Sequence, residues 1–290
     1  MTYLYNKVFC DALCVTYDPE SSPLYDCVSF LESHGFNVSF FSDDAMMLHA
    51  TPHCSARFET KHNYHKVEVK GKALELLRSS GAFDSFLSLL ASHNHKVTRL
   101  DLALDVARDF PSVLHGIRVK YPTGHARVSR KKAKISEILE PRDSDGKRSG
   151  TLYIGSQGGK ARKFARIYDK QLESLSRDEV IPPTTRYEFV IREDVTLRDA
   201  ALPSPCFWHF MGLELLTKPS DVIPWEKGAS YGWSSQRAEV LPTERLLKYL
   251  EHSATLDRMV SIADEIGPEG RRYLLSQLKK RLDTPSSYAM

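Results

Sequence analysis

The chain has 290 residues, of which 41% are hydrophobic, with a formal net charge of +3 and a sequence pI near 8.5. This length and apolar content predict one large domain, or a domain with a helical appendage, built around a real core. No apolar run approaches the ~20 residues that a transmembrane helix needs, which excludes a helical membrane protein. The mild positive charge is compatible with nucleic-acid binding but does not require it, so the local distribution of charge must decide.

The cysteines and the amino terminus indicate the cellular setting. The five cysteines are scattered and form no CxxC pair, which predicts free thiols in a reducing, intracellular compartment. Cys10 and Cys14 would share one face of a strand, but no second ligand pair lies nearby to complete a zinc site. The first residues lack a basic segment, a long apolar stretch and a small-residue cleavage site, so we expect a cytoplasmic protein.

The first hundred residues predict short strands with helices between them. Residues 8–17 form an opening strand, and Ser22 is a candidate cap for a helix that Gly35 ends. Four short runs then predict an antiparallel meander, namely FNVSFF, MMLHA, ARFET and YHKVEV. Two helices follow in KALELLRSS and AFDSFLSLLASH, separated by Gly81.

The predicted secondary structure of the rest of the chain changes from strands to a polar segment, back to strands, and then to helices. A strand at 97–106 and a short helix from Pro111 precede a polar segment at 118–150, which we expect to be long and partly irregular. Strands resume at 151–155, 164–169 and 185–192. After Ala200 the pattern is helical, including 242–252, 254–266 and 268–282. We therefore predict an α+β fold, with a mainly antiparallel catalytic-type domain and flanking helices at 1–200 and a helical region at 201–290.

Three of the predicted strands are apolar on one face and charged on the other. They are VTRLDLALDV, FARIYDK and TRYEFVIRE. Because alternate side chains of a strand point to opposite faces, Arg99, Asp101 and Asp105 share a face of the first strand. By the same rule Arg166, Tyr168 and Lys170 share a face of the second, and Arg186, Glu188 and Arg192 share a face of the third. If these strands lie in one sheet, carboxylates, arginines and a tyrosine gather on its polar face, as metal-assisted attack on a phosphodiester requires.

Tyr168 is the candidate nucleophile. It lies between Arg166 and Lys170 on the polar side of its strand, and neighbouring cations favour a phenolate. A phenolate is a competent oxygen nucleophile in covalent catalysis. The alternative is an ordinary strand tyrosine, since the chain has thirteen tyrosines. Tyr153, on the preceding strand, is a second tyrosine that either assists or packs.

The three acids are candidate metal ligands. Asp101 and Asp105 would be about 13 Å apart along one strand, so a single ion would take only one of them, more simply Asp101, together with Glu188. Oxygen ligands of this kind suit Mg²⁺ or Mn²⁺. The sequence leaves an equal alternative, in which each acid pairs with a nearby arginine in a structural network.

Two basic clusters lie around the predicted strand pair 151–155 and 164–169, one between Arg118 and Lys134 and one between Lys147 and Lys170. A protein that binds nucleic acid needs a local excess of positive charge to neutralise phosphates, although a solvated loop can show the same pattern. We predict DNA contacts from eight residues of these clusters and of the charged faces: Arg99, Arg130, Lys131, Lys132, Lys160, Arg162, Lys163 and Arg186.

The succession RLDLALD, TLYIGS, GGKARKFARIYDK and TRYEFVIR resembles the replication initiation factor family, over about residues 97–195. That family includes rolling-circle initiators of plasmids and filamentous phages and related relaxases of conjugative elements. The resemblance implies a nicking and joining enzyme in which a tyrosine becomes linked to a 5′ phosphate and leaves a free 3′ hydroxyl. It implies that Tyr168 is that tyrosine. It also implies that Asp101 and Glu188 bind Mg²⁺ or Mn²⁺, and it does not decide whether Asp105 is a third ligand.

Several assignments remain alternatives at this stage. The expected partner is origin DNA that is single-stranded or cruciform at the nick, with a host helicase and a second copy of the chain as further candidates. A relaxase acting at a transfer origin would use the same chemistry as a replication initiator. A non-catalytic DNA-binding regulator would carry the same faces as salt networks.

Overall fold

The computed structural model describes residues 6–42, 44–120, 126–127, 134–141, 148–156, 161–213, 216–226 and 267–273, together with residues 261 and 276. The chain divides into two compact units, Met1–Trp233 and Ser234–Met290. In the second unit, residues 268–273 are helical, within a segment predicted to be so. The predicted helix at 242–252 lies outside the described residues, and that at 254–266 is described only at residue 261.

The first unit contains the strands and most of the described helices. Up to residue 106 the elements are β1 (Val8–Tyr17), α1 (Leu24–Ser33), β2 (Asn37–Ser42), β3 (Ala45–Thr51), β4 (Cys54–Lys61), β5 (Tyr64–Lys70), α2 (Lys72–Ser79), α3 (Phe83–Ala91) and β6 (His95–Val106). After it they are α4 (Phe110–Lys120), β7 (Ala126–Arg127), β8 (Ile135–Pro141), β9 (Arg148–Ile154), β10 (Lys163–Asp169), α5 (Lys170–Leu175), β11 (Thr185–Ile191), α6 (Leu197–Ala201), α7 (Pro203–Phe210) and β12 (Gly212–Leu213).

Among the described residues, ten strands form one sheet in the order β2-β3-β4-β5-β1-β6-β11-β10-β9-β8. Every neighbouring pair in it is antiparallel, and β7 and β12 form a separate small ladder. The predicted α+β class, with a mainly antiparallel sheet and flanking helices, is confirmed. The three strands singled out in the sequence are adjacent, because β6, β11 and β10 lie side by side in the middle of the sheet.

One face of this sheet is the core. The alternation in β6 and β11 buries their apolar residues, so Leu100, Leu102 and Phe189 have no exposed surface. Apolar residues of α1 to α4, α6 and α7 belong to the same buried cluster. The helices therefore cover one face of the sheet, and the charged side chains of its central strands are left on the other.

A bulge in β1 changes which side chains share a face. The pairing of β1 with β6 shifts between Cys10 and Ala12, so Cys10 lies opposite Leu102 in the core while Cys14 lies opposite Arg99. A bulge adds one residue to a strand and reverses the alternation beyond it. The expectation that the two cysteines share a face is therefore wrong. All five cysteines are free and buried.

Two further segments differ from the sequence-based expectation. Part of the polar excursion is ordered as β8, which pairs with β9 at the end of the sheet. Pairing with a neighbour satisfies the backbone of β8, and an edge position tolerates its polar side chains. The first unit also continues past residue 200, since Cys206 and Phe207 of α7 are fully buried in the same core. Within the described ranges, no helix has both the length and the apolar character to cross a membrane.

We predict that Phe189→Ala lowers the free energy of unfolding by about 3–5 kcal/mol, because it leaves a cavity where a fully buried ring stacks on Phe210 at 5.3 Å. Val180→Ala is the control. This valine is 89% exposed, so its substitution should change the free energy of unfolding by no more than about 0.5 kcal/mol. Urea denaturation measures both. A loss below about 1 kcal/mol for Phe189→Ala would contradict the assignment of this face as core.

Candidate active site

The face of the sheet opposite the core collects the predicted site residues. Arg186 of β11 lies directly opposite Asp105 of β6 on one side and opposite Tyr168 of β10 on the other. Glu188 lies opposite Arg166 of β10 in the same way. The alternation read from the sequence therefore brings the tyrosine, the arginines and the acids of three strands to one surface.

A cavity of about 440 Å³ opens on this surface. Seven residues predicted from the sequence line it: Arg99, Asp101, Asp105, Arg166, Tyr168, Lys170 and Arg186. The other lining residues are Glu173 and Arg177 from α5 and its end, and a set from the first part of the chain, namely Phe9, Asp11, Ala12, Lys70, Gly71, Lys72, Glu75 and Arg78. Glu188 is not among them, because its side chain is completely buried beneath this surface.

Arg186 joins three strands through its guanidinium. Its Nε and Nη2 donate to the two carboxylate oxygens of Asp105 at 2.6 and 2.8 Å, and its Nη1 donates to Asp11 on β1 at 2.9 Å. Burial opposes the charge of Arg186, but the acids Asp11 and Asp105 outweigh burial and raise its pKa. Arg186, predicted as a DNA contact, is instead buried between acids. Asp105, an open candidate for the metal, has both oxygens engaged by this arginine.

The other two acids also have arginine partners. Arg99 donates from Nε and Nη2 to the two oxygens of Asp101 at 2.8 and 2.6 Å, and Arg166 forms an ion pair with Oε1 of Glu188. Burial raises the pKa of Glu188 to about 8, with further contributions from Asp11 and Asp101 that Arg166 only partly offsets. The arrangement of charges is therefore the arginine network that the sequence left as an alternative to a metal site.

The same acids nevertheless fit a divalent cation of one kind. Among the described residues, no group of three His, Cys, Asp or Glu side chains is arranged to hold a metal. Mg²⁺, however, is commonly bound through one or two carboxylates, with water and substrate phosphate completing its shell. Glu188 keeps Oε2 buried without a hydrogen-bond partner, close enough to Asp101 and Asp11 for their charges to act on it. An excess of negative charge around a partly unsatisfied carboxylate is what such a cation would neutralise.

Tyr168 is half-buried and faces the cavity, with the Arg166 guanidinium 5.7 Å from the centre of its ring. Burial raises the pKa of Tyr168 well above its usual value, and Glu188, Glu173 and Asp11 add to this effect while Arg186 opposes it. The expectation that neighbouring cations would favour the phenolate is therefore wrong for the free protein. Any attack by the phenol oxygen must therefore include removal of its proton.

Lys170 is placed differently from its prediction. The strand β10 ends at Asp169, whose side chain accepts a hydrogen bond from the Leu172 amide at 3.0 Å and caps α5. Lys170 is therefore the first residue of a helix, and it reaches the cavity from there. Its Nζ donates to Glu173 at 2.6 Å, and burial together with Arg186 lowers the pKa of this lysine.

The structure places the predicted DNA contacts in different surroundings. Arg99 lines the cavity in its pair with Asp101, and Arg162 is exposed and paired with Glu193 at 2.9 Å. Lys163 lies opposite Ile191, on the core side of β10, with its Nζ 4.2 Å from the ring centre of Phe210. It therefore does not share the face of Tyr168. Arg130, Lys131, Lys132 and Lys160 lie outside the described residues.

Ten lining residues were not predicted from the sequence, and Asp11 and Arg78 are two of them. Asp11 is an acid within a strand that is otherwise buried and apolar, which was a readable signal that it needs a cationic partner. Arg78 stands near the end of α2, where a basic residue is commonplace, so its sequence context gave no signal.

Comparison with known proteins supports the resemblance. Residues 95–198 match the family model described as replication initiation factor, so the predicted resemblance to this family is confirmed over that segment. The matched segment runs from the start of β6 into α6 and so includes β10 and β11. No curated protein matches the chain.

Two solved structures were compared. A rolling-circle replication initiator protein from Geobacillus stearothermophilus is 16% identical, with a TM-score of 0.49 over 78% of this chain and 93% of that one. DynU16, a protein of the dynemicin biosynthetic locus, is 10% identical, with a TM-score of 0.20 over 66% of this chain and 92% of that one.

We predict that Asp105→Asn lowers the free energy of unfolding by about 3–5 kcal/mol, because it leaves the buried Arg186 with one carboxylate where it had two. Asp44→Asn is the matched control, since it breaks an exposed pair with Lys61 that is worth at most about 1 kcal/mol. Denaturant unfolding in the absence of divalent metal compares the two. Equal effects would show that Asp105 has no structural role.

Proposed function

We propose that this protein is a rolling-circle replication initiator that nicks and rejoins single-stranded DNA through Tyr168. The observation that carries the proposal is that Tyr168 faces a cavity lined by arginines and acids, within the segment that matches replication initiation factors. The oxygen of Tyr168 attacks the scissile phosphorus and gives up its proton. The bond from phosphorus to the 3′ oxygen breaks, and that oxygen takes up a proton to leave as a hydroxyl.

The phosphotyrosine conserves the bond energy for the second half of the cycle. A 3′ hydroxyl attacks the 5′ phosphotyrosine, the tyrosine leaves with a proton, and the DNA strand is resealed. The protein holds both partners in one site across the two steps, which converts an intermolecular reaction into one between oriented groups. A separate ligase is therefore not needed.

The charged residues around Tyr168 have separate tasks in this scheme. Arg186 lies opposite Tyr168 in the sheet and is held there by two acids, so its charge is fixed where the phenolate develops. Arg166 and Lys170 are positioned to support the phosphate and the phenolate from β10 and α5. Because these groups are already oriented, little reorganisation is needed during attack.

A divalent cation, Mg²⁺ or Mn²⁺, would be held by Asp101 and Glu188, with Asp105 as the weaker candidate because Arg186 binds both of its oxygens. When bound, it polarises a phosphoryl oxygen and stabilises the leaving 3′ oxygen. Binding also requires that Arg99 and Arg166 release these acids in part, since both are paired with them here. The released guanidinium groups are then available to phosphate.

The proposed partner is origin DNA with a single strand delivered to the site, in a cytoplasmic protein. The basic segments around 118–134 and 147–170 would hold the flanking DNA. A host helicase and a second copy of the chain are further proposed partners. A relaxase at a transfer origin would use the same residues.

A non-catalytic DNA-binding regulator is the second candidate, because all three acids are paired with arginines in the structure. The two candidates differ in one product. Only the enzyme forms a covalent bond with DNA.

We predict that Tyr168→Phe abolishes the covalent adduct and lowers nicking by at least about a thousandfold, because the attacking oxygen is removed while the ring remains. The measurement is incubation with single-stranded oligonucleotides that tile its own replicon, with Mn²⁺ present, followed by a denaturing gel. Tyr153→Phe is the matched control, since Tyr153 lies on the same face of the adjacent strand opposite Arg166. Adduct formation by Tyr168→Phe at the rate of the parent protein would overturn the assignment.

We predict that chelation of divalent metal with EDTA stops nicking, and that added Mn²⁺ or Mg²⁺ restores it. Asp101→Asn should raise the Mn²⁺ concentration needed for half-maximal nicking by about tenfold or more, because one of two carboxylate ligands is lost. The Glu68→Gln variant controls for a lost carboxylate on β5 outside the cavity lining. An adduct that forms equally fast in EDTA would exclude a metal requirement.

A further inference from the structure

The cations that line the cavity differ in their partners. Seven of the eight have a carboxylate within 4.0 Å: Lys70, Lys72, Arg99, Arg166, Lys170, Arg177 and Arg186. Arg78 is the exception among the described residues. Its Nη1 donates to the backbone oxygen of Cys10 at 2.6 Å, and its Nε is buried without a hydrogen-bond partner.

The guanidinium of Arg78 is fixed in place by aromatic rings. It lies 5.2 Å from the ring centre of Phe9 and 5.8 Å from that of Phe83. The guanidinium of Arg186 lies 5.1 Å from the same Phe9 ring centre. Stacking on a ring and a bond to a carbonyl hold the plane of the guanidinium without neutralising its charge. Arg78 and Arg186 therefore present two oriented cations beside one ring of the cavity.

A half-buried cation without a carboxylate loses hydration and gains no ion pair in return. Burial accordingly lowers the pKa of Arg78, although Asp11 and Glu75 act in the opposite sense. A phosphodiester entering the cavity would supply the missing anion, and the planar fork of a guanidinium matches the two free oxygens of a phosphate. The acids already in the cavity are committed to other cations.

We propose that Arg78 binds a backbone phosphate of the DNA strand that enters the cavity of Tyr168. This rests on the proposed function and deepens it, because it assigns a phosphate contact to α2, outside the segment 95–198 that matches the family model. The substrate strand is then held from two sides of the cavity. One side is β10 with α5, and the other is the end of α2.

The test is equilibrium binding of the 20-mer (dT)20 by fluorescence anisotropy over a range of salt concentrations. It is carried out in Tyr168→Phe, so that it requires no nicking. Each phosphate contact to single-stranded DNA adds about 0.7 to the slope of log affinity against log salt. Arg78→Gln should lower that slope by about 0.7 and weaken binding about tenfold at low salt. Glutamine removes the charge and keeps a polar side chain, although it is two bonds shorter than arginine.

Arg57→Gln is the matched control, because Arg57 is an arginine of β4 that pairs with Glu59 away from the cavity. It should leave the salt slope unchanged. Arg78→Lys keeps the charge but not the fork, so it should preserve the slope and weaken binding several-fold at each salt concentration. This variant also serves if Arg78→Gln does not fold.

Three results would overturn the proposal. The first is an unchanged salt slope in folded Arg78→Gln, which would leave Arg78 as a support for the Cys10 backbone only. The second is an affinity for Arg78→Lys equal to that of the parent at every salt concentration. The third is failure of the Tyr168→Phe protein, with Arg78 intact, to bind (dT)20 at low salt. If the protein with Tyr168 intact forms no covalent adduct but binding depends on Arg78 as described, the proposed nicking reaction is wrong and the phosphate contact still stands.

Discussion

The organisation of this site depends on one guanidinium. Arg186 binds acids from two other strands, and these acids lie 81 and 175 residues away in the chain. It thereby ties β11 to its neighbour β6 and to β1 beyond it, and it fixes where the charged side chains of the central sheet stand. Tyr168 lies directly across from it on β10. A displaced Arg186 would leave Asp11 and Asp105 without their cation, and Tyr168 without the charge that lies across from it.

The cavity is lined by arginines, lysines and acids, and most of the cations are paired with a carboxylate. Buried ion pairs are expensive to desolvate, so their value lies more in fixed geometry than in net stability. In the free protein the acids are paired with arginines, and burial raises the pKa of Tyr168. Binding of phosphate and metal would redistribute these partners.

Much of this arrangement could be predicted from alternation alone. Leu100 and Leu102 are buried and Asp101 faces the opposite side, as the period of a strand requires. The convergence of Tyr168 with Asp101 and Arg186 follows once β6, β11 and β10 are neighbours. The order of these strands was not deducible from alternation, and only the structure shows that β11 lies between β6 and β10.

The remainder depended on local backbone events that composition does not reveal. The bulge in β1 placed Asp11 at the site and separated Cys10 from Cys14. The cap formed by Asp169 turned Lys170 into a helical residue, although alternation had extended the strand through it. Lys163 was assigned to the DNA by its charge, but its register places it on the core side of the sheet. Arg78 comes from a distant helix, and only the tertiary structure shows that it lacks an acid.

The most direct measurement is the position of the covalent bond. The protein is incubated with single-stranded oligonucleotides from its replicon and Mn²⁺, digested with trypsin and analysed by mass spectrometry. Trypsin cleaves after Arg166 and Lys170, so Tyr168 is the one tyrosine of the peptide 167–170. The account predicts that this peptide carries the nucleotide through a phosphotyrosine linkage. A nucleotide on a peptide that contains Tyr153, or on any residue other than Tyr168, would contradict it.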